Sequence, residues 1–122
     1  ITKGEKVRVV YDSVGKDTYM DSLDCLAPRG ILVLFGNASG PVPPLDLALL
    51  GAKGSLFITR PSLANYTGTR EELEAASNEL FDVVKSGAVK IEVNQTYALK
   101  DAPQAHKDLE ARKTTGSTVF TI

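Results

Sequence analysis

Five consecutive apolar residues, ILVLF at 31–35, constrain the fold of this chain more than any other segment. A strand that is apolar at every position is typical of a parallel sheet covered on both faces. A second apolar and β-branched run, VRVVY, occupies 7–11, and residues 17–26 between the two runs carry apolar side chains at helical spacing. Strand, helix and strand within about 30 residues predict a βαβ unit with a right-handed crossover.

Three further segments of the chain have strand character. Residues 55–59 predict a third strand of the same sheet, and residues 118–122 predict a terminal strand. Val89, Ile91 and Val93 alternate with polar residues, which predicts a half-buried strand. The fold class is therefore α/β.

Two later helices have recognisable starts. Thr69 and Glu72 have the spacing of a capping box, which predicts the start of the longest helix, with Leu73 and Leu80 on its inner face. Asp101 predicts the start of a last helix.

Charge and cysteine content exclude several classes of protein. Fourteen basic residues are balanced by fifteen acidic ones, so nothing favours nucleic acid or an anionic membrane as a partner. The single cysteine excludes an internal disulfide and a cysteine-rich zinc site. No apolar run reaches the roughly 20 residues of a membrane span. We expect a cytoplasmic protein and, because the chain starts with isoleucine, a piece of a longer one.

Small residues follow three of the predicted strands, at 12–15, 35–40 and 59–62. Ligands of open parallel sheets bind outside the carboxyl ends of the strands, so these segments predict a binding site. Glycines after strands are also ordinary turns, and that alternative stays open. The chain has no Gly-x-Gly-x-x-Gly, so it lacks the turn that normally holds a dinucleotide pyrophosphate.

Several segments, in the same order and spacing, resemble the quinone oxidoreductase branch of the medium-chain dehydrogenase/reductase superfamily. They are VVYDSVGKDTYMDSLDCLAPRGILVLFGNASG, KGSLFITRPSL, TREELEAASNELFDVVKSG and YALKDAPQAHKDLEARKTTGS. The resemblance covers about residues 4–117.

The resemblance implies a particular place in a larger enzyme. Residues 1–88 would be the C-terminal half of a Rossmann dinucleotide-binding domain, and residues 89–122 would return to a GroES-like substrate domain. The enzyme would transfer hydride from NADPH to a quinone, without zinc or flavin. Its phosphate-binding turn would lie outside this chain, so we expect the chain alone to be inactive.

The resemblance also implies cofactor-binding residues from four segments and no catalytic or metal-binding residue. These are Ser13 and Val14 near the adenosine; Phe35, Gly36, Asn37 and Ala38 along the ribose and nicotinamide; Arg60, Pro61, Ser62 and Leu63 beside the carboxamide; and Arg112 directed at the cofactor cleft. This set contains no acid, base or nucleophile, so the cofactor would supply the chemistry and the protein would position it.

Simpler explanations exist for individual residues. Arg112 could only complement a helix dipole, and Arg60 could be a solvated loop residue. His106 has no second metal ligand at a suitable spacing and is expected to be a surface residue. Cys25 lies among apolar helix positions and is expected to be a packed thiol.

Other functions remain open at this stage. One is an NADPH-dependent enone or aldehyde reductase of the same superfamily. Another is a non-catalytic module, either for signalling or for dimerisation; a receiver-like domain is disfavoured because Asp12 has no acidic neighbour. The resemblance implies a homodimer through the strand at 55–59. We also expect the strand at 7–11 to have an open edge that promotes self-association or local disorder.

Overall fold

The computed structural model describes residues 2–122, which form two compact units. The first unit ends at Gly68, and the second runs from Thr69 to Ile122. The resemblance placed a domain boundary later, after residue 88, and that assignment stays a prediction. None of the helices in the described part of the chain is long and apolar enough to cross a membrane.

The first unit is a three-stranded parallel sheet with two short helices. Its elements are β1 (Val7–Asp12), α1 (Tyr19–Asp24), β2 (Leu26–Leu34), α2 (Leu47–Ala52) and β3 (Phe57–Thr59). The strand order is β1-β2-β3, with both pairs parallel, so the predicted βαβ arrangement is confirmed.

The core of this unit lies on one face of the sheet. Leu32 and Leu34 of β2 pack there with Leu23 of α1 and Leu56, while α2 contributes the half-buried Leu49. Successive crossovers of one hand place both helices on the same face of a sheet ordered in sequence. The opposite face of β2 is consequently only half-buried, which corrects the expectation of a strand covered equally on both faces.

The start of β2 also differs from the prediction. Leu26, expected in the preceding helix, is fully buried and pairs with Val7 of β1. The register then shifts through a segment in which Arg29 has a φ of 63° and donates its N–H to the carbonyl of Gly54 at 2.8 Å. A partner distant in sequence therefore holds this irregular segment within β2, where local signals predicted a helix end.

The second unit contains a long helix, a shorter helix and a two-stranded parallel sheet. Its elements are α3 (Arg70–Lys85), β4 (Val93–Ala98), α4 (Ala102–Glu110) and β5 (Ser117–Thr121). The capping box is confirmed: the Thr69 hydroxyl accepts the Glu72 N–H at 3.2 Å, and the Glu72 carboxylate accepts the Thr69 N–H at 3.0 Å.

Two burial predictions in this unit are wrong. Leu73 and Leu80 of α3 are 44% and 54% exposed, although they were expected on an inner face. The strand expected to include Val89 and Ile91 begins only at Val93, and all three residues are exposed. Asp101 does precede α4, but its side chain makes no capping hydrogen bond.

Candidate cofactor site at the carboxyl ends of the strands

The three segments that were predicted to bind a ligand lie at one edge of the first unit's sheet. The Phe35 N–H donates to the Asp12 carbonyl at 2.9 Å, and the Ala38 N–H donates to the Ser13 carbonyl at 3.1 Å. Arg60 follows β3, and its Nη1 donates to the Gly36 carbonyl at 2.9 Å. The structure therefore brings together the chain after β1, after β2 and after β3, as the strand order requires.

Gly36 is the point of closest approach between two of these segments. A β-carbon at this position would lie 2.3 Å from the Ser13 carbonyl oxygen and 2.8 Å from its Cα. No side chain fits there, because the obstacle is rigid backbone. Glycine at position 36 therefore lets the loop after β2 cross directly over the loop after β1.

Buried Asp12, at the end of β1, holds the turn that carries Ser13 and Val14. Its carboxylate is the centre of a hydrogen-bond network that the sequence analysis did not identify. The donors are Val14 N (2.8 Å) and Gly15 N (3.0 Å) to Oδ1, Thr18 Oγ1 to both oxygens (3.0 and 2.9 Å), and Ser22 Oγ to Oδ2 (2.8 Å). Burial acts to raise the pKa of the Asp12 carboxyl, but these hydrogen bonds outweigh burial and hold it below the usual value of 3.8.

Ser39 connects the loop after β2 to the turn after β1 by hydrogen bonds. Its N–H and its hydroxyl both donate to the Val14 carbonyl, each at 2.8 Å, and the hydroxyl accepts the Asp17 N–H at 3.0 Å. Asp12 and Ser39 lie within the segments predicted to bind a ligand, but the sequence analysis did not single out either side chain. The available signal was an aspartate at a strand end three residues before a glycine, a common way to close a turn with a side chain.

Arg60 has a structural task at this edge. Its Nη1 donates to the carbonyls of Leu34 and Gly36, at 3.2 and 2.9 Å, so the guanidinium caps the end of β2. Arg60 is exposed and follows the strand, as the simpler alternative of a solvated loop residue expects, but its guanidinium also has two backbone partners. Ser62 precedes a single 3-10 turn at Leu63–Asn65, which carries the exposed Leu63 side chain.

The edge offers both apolar and polar contacts to a ligand. Phe35 is 54% exposed and Leu63 is 77% exposed, so two large apolar side chains face solvent there. Within residues 2–122, the N–H groups of Gly36 and Asn37 donate to no acceptor. Such a surface can pack against a ring and donate to ligand oxygens, but the predicted residues on it supply no proton-transfer group.

Arg112 belongs to the second unit. It follows α4 in a left-handed conformation, with a φ of 57°, and its N–H donates to the Leu109 carbonyl at 3.0 Å. Its predicted orientation toward the cofactor cleft stays a prediction.

The predicted packing of Cys25 is wrong, because it is exposed at the end of α1. His106 is exposed on α4, as expected for a surface histidine. Within the described residues, no group of three or more His, Cys, Asp or Glu side chains could hold a metal ion.

A small apolar depression of about 80 Å³ lies in the second unit, lined by Ala105, His106, Leu109, Thr118 and Phe120. It shares no residue with the predicted cofactor site. Its lining is almost entirely apolar and offers no convergent set of polar groups for a cofactor.

A family model described as zinc-binding dehydrogenase matches residues 1–120 of the chain. A quinone oxidoreductase from Salmonella typhimurium is 62% identical over 122 residues, which are 98% of this chain and 37% of that protein. A 2-haloacrylate reductase from a Burkholderia species is 49% identical over 121 residues, or 98% of this chain and 36% of that protein.

A crystal structure of Escherichia coli quinone oxidoreductase complexed with NADPH has the same fold. It superposes with a TM-score of 0.90 at 56% identity, covering 99% of this chain and 38% of that one. The chain therefore spans little more than a third of the length of the relatives that it matches.

Proposed function

Because the chain belongs to the zinc-binding dehydrogenase family of the medium-chain dehydrogenase/reductase superfamily, we propose that its protein transfers hydride from NADPH to a quinone. The convergence of the three strand-end segments at one edge of the sheet carries this proposal. The Salmonella typhimurium relative is named a quinone oxidoreductase, and the Escherichia coli relative was solved with NADPH. The chain spans about a third of these proteins, so the activity belongs to a protein that includes their remaining parts.

When bound, NADPH supplies a hydride, and the residues of this chain position it. Ser13 and Val14 would contact the adenosine side through the turn that Asp12 holds. The exposed Phe35 ring would pack against the ribose and nicotinamide, where the N–H groups of Gly36 and Asn37 are available as donors. After hydride transfer, one proton completes the reduction of a quinone to a hydroquinone, and solvent or a group outside the predicted site residues would supply it.

The segment after β3 would complete the nicotinamide side of the site. Backbone groups at 61–63 would flank the carboxamide, next to the exposed Leu63 side chain. Arg60 would act mainly by capping β2, since its guanidinium already donates to two carbonyl groups. The family resemblance adds Arg112 as a further proposed cofactor contact.

The described residues offer no site for zinc. The family's description includes zinc, but the donor set of residues 2–122 does not fit a zinc site, which takes three or four Cys, His or carboxylate ligands. We therefore derive no step through a metal.

We further propose that the protein is a cytoplasmic homodimer in which β3 pairs across a two-fold axis. β3 is an edge strand of the three-stranded sheet, and its residue Phe57 is 59% exposed. An apolar edge strand is suited to pairing with a second copy. Residues 1–88 would belong to the cofactor-binding domain and residues 89–122 to the substrate domain.

NADPH binding measured by calorimetry tests the proposal. A protein of the length of the relatives should bind NADPH and oxidise it when a quinone is added. The 122-residue chain alone should bind NADPH weakly or not at all, because it contains no Gly-x-Gly-x-x-Gly turn. A longer protein that neither binds nor oxidises NADPH would contradict the proposal and favour a non-catalytic dimerisation module.

The relative from Burkholderia supports a second candidate, reduction of an activated alkene, because that protein is named a 2-haloacrylate reductase. Comparing kcat/KM for a simple quinone and for an enone or 2-haloacrylate, at saturating NADPH, distinguishes the two. The quinone proposal requires the higher kcat/KM with the quinone.

A further inference from the structure

Two successive sets of hydrogen bonds connect the Asp12 carboxylate to the loop after β2. In the first set, the Asp12 carboxylate accepts from N–H groups of the turn that follows it. It also accepts from the hydroxyl of Thr18, at the start of α1, and from that of Ser22, within α1. In the second set, the N–H groups of Ala38 and Ser39, in the loop at 36–40, donate to carbonyls of the same turn. The carboxylate touches no predicted cofactor-binding side chain, yet the positions of two cofactor-binding segments depend on it.

We infer that Asp12 is a positioning residue for the cofactor, because its carboxylate fixes the two carbonyls, of Ser13 and Val14, from which the loop after β2 is held. The inference rests on the proposed function and adds to it a residue that acts through others. Asp12 itself is 4% exposed, so a ligand at the sheet edge would not contact its carboxylate directly.

Burial, together with hydrogen bonds to both of its oxygens, explains why this carboxylate can act as a rigid anchor. A buried charged group is held in place by its hydrogen bonds, and losing a bond to a charged group costs more than losing one between neutral groups. The donors come from both the turn and α1, so rotation of the carboxylate would break bonds to both. The turn can therefore shift only if α1 loses its contact as well.

Thr18 provides a matched pair of variants. Thr18→Val keeps the shape of the side chain but removes the hydroxyl that donates to both Asp12 oxygens, whereas Thr18→Ser keeps the hydroxyl. Asp12→Asn is the stronger change, since it removes the charge. If Asp12→Asn fails to fold, the Thr18 pair still tests the inference.

Amide hydrogen exchange of the protein without cofactor gives a readout that does not depend on activity. In Thr18→Val, we expect the N–H groups of Ala38 and Ser39 to exchange roughly tenfold faster while the N–H of Leu32 in the sheet is unchanged. Thr18→Ser should behave like the unsubstituted protein. Leu49→Ala, which shortens a half-buried residue of α2, should instead speed exchange across the whole unit.

NADPH affinity, measured by calorimetry on a protein of the relatives' length, gives the second readout. We expect the Kd to rise roughly fivefold in Thr18→Val and tenfold or more in Asp12→Asn, with little change in Thr18→Ser or Leu49→Ala. Thr18→Val with unchanged exchange at Ala38 and Ser39 and an unchanged Kd would overturn the inference. If the unsubstituted protein fails to bind NADPH, the proposed function is wrong. The exchange experiment then decides separately whether Asp12 positions the loop after β2. Unchanged exchange at Ala38 and Ser39 in Thr18→Val would overturn the inference as well.

Discussion

Gly36 shows how a single residue sets the geometry of the candidate site. We predict that Gly36→Ala destabilises the protein by about 2–3 kcal/mol, because the added methyl group would overlap rigid backbone. The β-carbon would lie 2.3 Å from the Ser13 carbonyl oxygen, far inside van der Waals contact. Urea unfolding, followed by circular dichroism, measures the change.

Gly51 is the matched control for this substitution. It lies inside α2, and a β-carbon added there would meet nothing within 4 Å. Gly51→Ala should therefore stabilise the protein by about 0.5–1 kcal/mol, as alanine does in a helix interior. Equal effects of the two substitutions would mean that Gly36 is not a point of close contact.

The Asp12 network also predicts how stability depends on pH. The pKa of Asp12 is lower in the folded protein than its usual value of 3.8, so the folded state favours the carboxylate. Its contribution is complete above the unfolded pKa and is lost as the pH falls through the folded pKa. Stability should therefore decline below about pH 4 more steeply in the unsubstituted protein than in Asp12→Asn.

Urea midpoints measured between about pH 6 and pH 2.5 test this difference. Other carboxylates, including Asp24 and Asp108, also have lowered pKa values and contribute to acid unfolding in both proteins. The comparison therefore concerns the difference between the two curves. A difference that stays constant over the whole range would contradict a depressed pKa at Asp12.

The residues of the site divide into those that a sequence can reveal and those that it cannot. The segments after the strands were predictable, because strand ends and small residues are local signals. The paired hydroxyls around Asp12 were not, since Thr18 and Ser22 resemble ordinary polar helix residues until α1 is folded beside β1. The exposure of Cys25 was also missed, because α1 ends at Asp24 and Cys25 does not lie inside a longer helix.

At the level of elements, the capping box of α3 is the most local signal in the chain. We predict that Thr69→Ala destabilises the second unit by about 1 kcal/mol, because the Glu72 N–H loses its acceptor. Glu72→Ala should cost a similar amount, since the Thr69 N–H loses its own acceptor. The double substitution should cost less than the sum, because the two bonds form one reciprocal cap.

Glu79→Ala is a suitable control for the cap. Glu79 is an exposed residue of α3 whose side chain makes no hydrogen bond among the described residues, so its substitution should be nearly neutral. Thermal unfolding of all four variants gives the comparison. Additive losses at Thr69 and Glu72 would mean that the two bonds are independent.

Elements whose limits depend on distant partners were predicted less well. β2 begins at Leu26 because Val7 of β1 pairs with it, although residues 17–26 had the spacing of a helix. Likewise, the alternation at 89–93 is typical of a strand, but β4 starts where β5 can pair with it. Local signals therefore predicted the start of α3 and the existence of the parallel strands. Pairing with a distant strand determined where β2 and β4 begin.

At the scale of the whole molecule, the proposed dimer makes a separate prediction about β3. If β3 pairs with its symmetry mate, the exposed Phe57 side chain is buried in the interface, and Phe57→Lys would place two like charges close together. We expect this substitution to weaken dimerisation at least about tenfold, since an unpaired charge is costly to bury.

Sedimentation velocity over a range of protein concentrations measures the effect on a protein of the relatives' length. Leu47→Lys is the control, because Leu47 is an exposed apolar residue of similar size, 77% exposed, that lies in α2 and not on a strand edge. It should leave dimerisation unchanged. If both variants associate like the unsubstituted protein, β3 is not the interface and the proposed pairing across a two-fold axis is wrong.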